Sequence, residues 1–138
     1  MSPLAKIHYP EAFNGEYIRV HWDFEKDLKD ILEKSGLKDN FTSKFKQRLK
    51  HLNDRKRECV RKRDWFEKLK KEKDLYSIKF KDEKNVRILF AFIAYEGIEY
   101  AILLYPFQEK DDKNKSQYSY DTAKPIAQGR LKEVLNDV

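Results

Sequence analysis

The sequence predicts an α+β domain: an antiparallel, mostly meander sheet with N-terminal helices packed on one face and a C-terminal helix. Three observations point there. Two-residue alternation of apolar and polar positions occurs near the start and returns after position 74. Between those regions the apolar spacing changes to the helical period. The chain has 138 residues, 40% of them hydrophobic, which suits one domain over 1–138 with a modest core. Aromatic residues make up 14%, so bulky rings fill much of that core.

The elements follow in chain order. Tyr17 to Trp22 alternates as a half-buried strand, with Ile18, Val20 and Trp22 facing in. Asp23 offers a helix N-cap, and Phe24, Leu28, Ile31 and Leu32 recur at helical spacing up to Ser35-Gly36. Asp39 or Asn40 caps a second helix, whose stripe is Phe41, Phe45, Leu49 and Leu52. Asn53-Asp54 is a break, and a third helical stretch carries Val60, Trp65, Phe66 and Leu69, with Trp65 and Phe66 in the core. From Leu75 to Lys81 alternation resumes, with Tyr76, Ile78 and Phe80 on one face and Ser77, Lys79 and Lys81 on the other. A turn over 82–85 leads to a strand over 86–94, apolar at both parities and therefore buried on both faces, except for Arg87. Glu96-Gly97 is a two-residue hairpin turn, and the strand over 98–105 ends at Pro106. A polar loop over 110–119 precedes a final helix marked by Tyr120, Ala123, Ala127, Leu131 and Val134. Pro125 is expected in its first turn.

Charge is unevenly placed. Between Lys44 and Lys73 there are 14 Lys/Arg against 5 Asp/Glu, a surplus of nine. The whole chain carries +6, so the remainder carries −3. A basic helical segment over about 40–73 on a mildly acidic body suits a polyanion or an acidic protein, or else is a solvated face. A single cysteine, Cys59, excludes an intrachain disulfide and points to a reducing compartment. Cys59 is expected to be inert, and His21 and His51 to lie at the surface. His8, His21 and His51 lack metal-ligand spacing, and no signal peptide or membrane span is visible. These features together predict a soluble cytoplasmic protein without a cofactor or metal.

The runs LYSIKF (75–80), NVRILFAF (85–92) and YAILLYPFQEK (100–110), followed by Tyr120 and the Ala127…Arg130-Leu131 helix, carry a resemblance. Together they resemble the core of the RelE/HigB/ParE superfamily of bacterial toxins, over about 65–133. The resemblance implies an antiparallel sheet with two helices packed against it. It also implies a toxin of a type II toxin–antitoxin system, a ribosome-dependent mRNA endoribonuclease in which the 2′-hydroxyl attacks the adjacent phosphate without a metal. Its partners would be a cognate antitoxin protein, mRNA and the ribosome. Such chemistry needs a base, cations on the phosphorane and an acid for the leaving oxygen. The matching positions are Lys79 and Lys81 as base and electrostatic stabilisers and Arg87 as phosphate clamp. Lys110 would neutralise charge, and Tyr120, ahead of Tyr118, would stack or act as acid. In the basic segment, Lys44, Arg48, Arg55, Arg61 and Arg63 are the expected RNA or ribosome contacts.

Other classes compete. A ParE-like relative would inhibit DNA gyrase without cutting RNA. A catalytically inactive relative would only bind a partner. Glu109 supports the latter, because a carboxylate inside a phosphate site repels the ligand unless it points away.

Overall fold

The computed structural model describes residues 5–35, 38–70, 74–81, 85–109 and 120–137. Among them, the chain runs β1 (Ile18–Val20), α1 (Phe24–Ser35), α2 (Lys38–Arg55), a 3-10 helix (Lys56–Arg61), β2 (Phe66–Lys68), β3 (Tyr76–Phe80), β4 (Val86–Tyr95), β5 (Ile98–Gln108) and α3 (Tyr120–Asp137). The class is α+β, as the alternating and helical spacings require. Strands β2 to β5 form an antiparallel meander, and the full order is β1-β5-β4-β3-β2. The sheet is nevertheless mixed, because β1 runs parallel to β5, with Ile18 opposite Ala101 and Val20 opposite Leu103. The chain between them, α1 and α2 and then β2 to β4, makes the long connection that a parallel pair needs.

The helices lie on both faces rather than one. Along β4, Val86, Ile88 and Phe90 pack into the cluster shared with Phe24, Leu28, Phe41, Phe45 and Leu49 of α1 and α2. Leu89, Ala91 and Ile93 pack into a second cluster with Ala123, Ala127, Leu131 and Val134 of α3. A strand apolar at both parities must be covered twice, and α3 provides the second cover. The first cluster is built around rings: Phe80 lies 4.5 Å from Phe41 and 6.3 Å from Phe45 between ring centres. Tyr76 and Phe90 continue the aromatic layer at 5.4 Å.

Several local expectations are corrected. The stretch from Val60 to Leu69 is not a third helix but the end of the 3-10 helix followed by β2, with Phe66 opposite Ile78. Phe66 is buried in the first cluster as expected, and Trp65 packs partly against it. Trp22 lies past the end of β1 and is 39% exposed. Strand β5 passes through Pro106 to Gln108. A register shift between Leu89 and Phe90 leaves Leu104 as the extra residue between Leu103 and Tyr105. The Leu104 carbonyl then accepts from the Arg130 guanidinium at 2.9 Å. Pro125 sits in the second turn of α3, where it removes one ladder donor. The Glu96-Gly97 turn forms as expected, with φ of 51° and 80° at its two residues.

His21 is fully buried, not superficial. Its Nδ1 accepts from the Asp23 backbone N–H at 3.0 Å, so Nε2 carries the proton and donates to Glu133 of α3 at 3.1 Å. Burial lowers its pKa, against the raising effect of the Glu133 bond. Arg130, one turn earlier on α3, bonds Asp27 of α1. These two contacts tie α3 to α1 and to the turn between β1 and α1.

Candidate functional site

Lys79 on β3 stands directly opposite Arg87 on β4. Residues paired in this way project from the same face of the sheet, here the face that α3 covers. Like charges set opposite one another destabilise a strand pair, so the site needs counter-charge. Among the described residues, Glu109, Glu67 and Asp64 supply it. Glu109, just past β5, accepts from Arg87 Nη2 at 3.3 Å and is fixed by its own N–H to the Asn85 carbonyl. Glu67, on β2 opposite Ser77, acts on Lys79.

Arg87 is 6% exposed. Its Nη1 donates to the Val86 carbonyl at 3.3 Å, and its buried Nε has no hydrogen-bond partner among the described residues. A buried donor left open costs free energy, about 1–3 kcal/mol. Among the described residues, one long carboxylate contact holds the guanidinium. Glu109 therefore points into the cationic group.

Lys79 is half-buried. Desolvation holds its ammonium pKa below the ordinary lysine range, Lys81 and Arg87 push the same way, and Glu67 and Asp64 oppose them. Lys81 is exposed, one residue past the end of β3. Tyr120 opens α3 with its ring edge-on to Phe107 at 5.2 Å and its hydroxyl 3.0 Å from Ser77 Oγ. Burial raises the Tyr120 pKa, while the Ser77 bond and Arg87 pull it down, so the hydroxyl keeps its proton. Lys79, Arg87 and Tyr120 are thereby gathered on one face, with Lys81 at its margin. Lys110 and Tyr118 lie outside the described residues.

The basic segment divides. Arg48 does not face solvent: it is 8% exposed, and its Nε donates to the Lys79 carbonyl at 3.0 Å. Its guanidinium lies 4.8 Å from the Trp65 ring and 4.6 Å from the Phe80 ring. It is a strut between α2 and β3, and its expected role as an RNA contact is withdrawn. Lys44 is half-buried one turn earlier. Arg55, Arg61 and Arg63 are exposed around the 3-10 helix, where Arg61 meets Glu58 at 2.7 Å. Arg55, Arg61, Lys62, Glu58 and His51 line one surface cleft.

Glu67 and Ser77 belong to the site although neither was expected there, and Glu109, expected to repel a phosphate or to mark an inactive relative, lies within it. The signal for Ser77 was its place between Tyr76 and Ile78, on the Lys79 face. Among the described residues, no three His, Cys, Asp or Glu side chains are grouped as a metal ion requires, and no helix is long and apolar enough to cross a membrane. Cys59 is buried, which pushes its thiol pKa up to about 12.

No protein-family model matches the chain, no curated protein matches it, and no solved structure matches it.

Proposed function

We propose that the chain is a toxin of the RelE/HigB/ParE kind, acting in the cytoplasm as a ribosome-dependent mRNA endoribonuclease and restrained by an antitoxin protein. The observation that carries this reading is the in-register Lys79–Arg87 pair on adjacent strands, with Tyr120 on the same face. A phosphodiester displacing the Glu109 carboxylate would meet the Arg87 fork, with Lys79 and Lys81 beside it. Arg suits this task because its planar donors match two phosphate oxygens.

The chemistry then runs without an external nucleophile. Lys79, whose ammonium pKa burial holds below the ordinary lysine range, takes the 2′-OH proton. The 2′-oxygen bonds to phosphorus, Arg87 and Lys81 stabilise the phosphorane oxygens, and the bond to the 5′-oxygen breaks. Tyr120 donates its proton to that leaving oxygen. The products are a 2′,3′-cyclic phosphate and a 5′-hydroxyl end.

Induced expression in a bacterial host tests this. Growth arrest is expected with the wild type and relief with Arg87→Ala and Lys79→Ala; persistent toxicity in both variants overturns the site. The Arg87–Glu109 ion pair favours a second reading, an inactive relative that only binds a partner, with Arg87 as a structural charge. Under that reading the wild type leaves growth unchanged. Arrest without message cleavage would instead indicate a ParE-like gyrase inhibitor.

A further inference from the structure

We infer that the cleft beside the 3-10 helix is a second phosphate subsite, and that one single strand of RNA runs from it over Trp65 to Lys79 and Arg87. The inference rests on the reading of the chain as an RNA-binding protein, but not on its cutting RNA.

Trp65 lies at the sheet edge with its ring on the α2 side and Lys79 and Arg87 on the α3 side, so an RNA strand joining the two cationic groups turns around that edge. The Trp65 carbonyl accepts from the Lys79 backbone N–H at 2.7 Å, so it lies alongside the strand that carries the proposed site, at the free edge of the sheet. Its indole ring is fixed from inside by the buried Arg48 at 4.8 Å and edge-on by His51 at 5.8 Å. The exposed Lys62 ammonium lies 4.4 Å from the ring centre. Arg48 and His51 are held in the packing; Lys62 is on a solvated chain and can leave. A base that takes its place stacks on a ring already positioned, and such stacking tolerates any base.

Lys62 also lines the cleft with Arg55, Arg61 and His51, against one carboxylate, Glu58. The Glu58–Arg61 pair is solvent-exposed on both sides and is readily exchanged for another anion. His51 supports the convergence: burial first, then the charges of Arg55 and Lys62, lower its pKa, so both cations act on the same ring. Cations at either end with an aromatic face between them is the pattern of a single-strand groove. An acidic polypeptide would use the cations and have no use for the ring.

The test uses 2′-O-methyl oligouridylates of two to ten nucleotides, which cannot be cut because the attacking oxygen is blocked. The full chain carries Trp22→Phe, leaving Trp65 as the single tryptophan of the two. Long oligonucleotides should bind at least about tenfold tighter than the dinucleotide and quench Trp65. Arg55→Ala/Arg61→Ala/Lys62→Ala should abolish that length advantage and lower the salt slope of the long oligonucleotide by about two, three cations at roughly 0.7 each. The three residues are exposed, so an unchanged melting temperature certifies the variant; Arg61→Glu/Lys62→Glu must weaken long oligonucleotides further. An unchanged length dependence in either variant, or binding without quenching, overturns the inference. Equal affinity and quenching with polyglutamate overturns it in favour of an acidic protein. Wild type that binds as described but cuts no message ends the nuclease reading alone, whereas failure to bind any oligonucleotide ends both.

Discussion

Replacing Arg48 with methionine separates a structural arginine from a surface one. The guanidinium donates to the Lys79 carbonyl and stacks near two rings, Trp65 and Phe80. Hydrogen bonds from charged groups contribute about 1.5–3 kcal/mol. Each cation–π contact adds about 0.5–1 kcal/mol at an exposed site and up to about 2 when desolvated. Methionine keeps the packing of the stem and removes the cost of burying the cation, which takes back part of the loss. The net expectation is a destabilisation of roughly 3 kcal/mol, or about 9–12 °C in melting temperature for a chain of this length. Arg55→Met, on the exposed end of α2, should stay within about 0.5 kcal/mol of wild type. Thermal and urea unfolding followed by circular dichroism measure both. An Arg48→Met protein melting within about 2 °C of the wild type would refute the strut and return the side chain to solvent.

Other expectations concern charge and protonation. His21 and His51 have folded-state pKa values below 6.5, so the unfolded chain binds more protons as pH falls through that value. Stability should therefore be full above about pH 6.5 and decline below it, by up to about 1.4 kcal/mol per pH unit for each histidine. His21→Gln should flatten that decline in urea titrations at pH 5 to 7; an unchanged slope means the buried His21 is already protonated. Glu109→Gln frees Arg87 from its ion pair and should tighten binding of uncleavable RNA severalfold by fluorescence titration; weaker binding means that the carboxylate positions the arginine productively. Cys59 should resist thiol reagents in the native protein and react on unfolding, because burial keeps the thiol protonated; rapid native labelling would contradict its place in the core.

Three strands of the meander, β3 to β5, were legible because each carries a local signal. Tyr76, Ile78 and Phe80 alternate, and Glu96-Gly97 fixes the β4–β5 register. The same alternation places Lys79 and Arg87 on one face once the hairpin is closed. The parallel pairing of β1 was not legible: three residues, Ile18 to Val20, carry no information about direction. The double cover of the sheet was implied by Leu89 and Ala91 lying between Ile88, Phe90 and Phe92, since both parities are apolar. Strand β2 was misread because Trp65, Phe66 and Leu69 fit a helical stripe as well as a short edge strand. Arg48 could have been read correctly. It stands three residues after Phe45 and four before Leu52, inside the apolar stripe of α2, but the surrounding charge run concealed this. The Glu109 contact depends on where β5 ends, which Pro106 obscured.

The proposed function requires Arg87 and Lys79 to grip a phosphodiester. Purified chain, translating ribosomes and one defined message put this to a direct test, with product ends mapped by primer extension and by sensitivity to cyclic-phosphate-opening phosphatase. Wild type should leave a 2′,3′-cyclic phosphate end, and Arg87→Ala should leave the message intact. Cleavage by Arg87→Ala at the wild-type rate, or an intact message with the wild type, would contradict it.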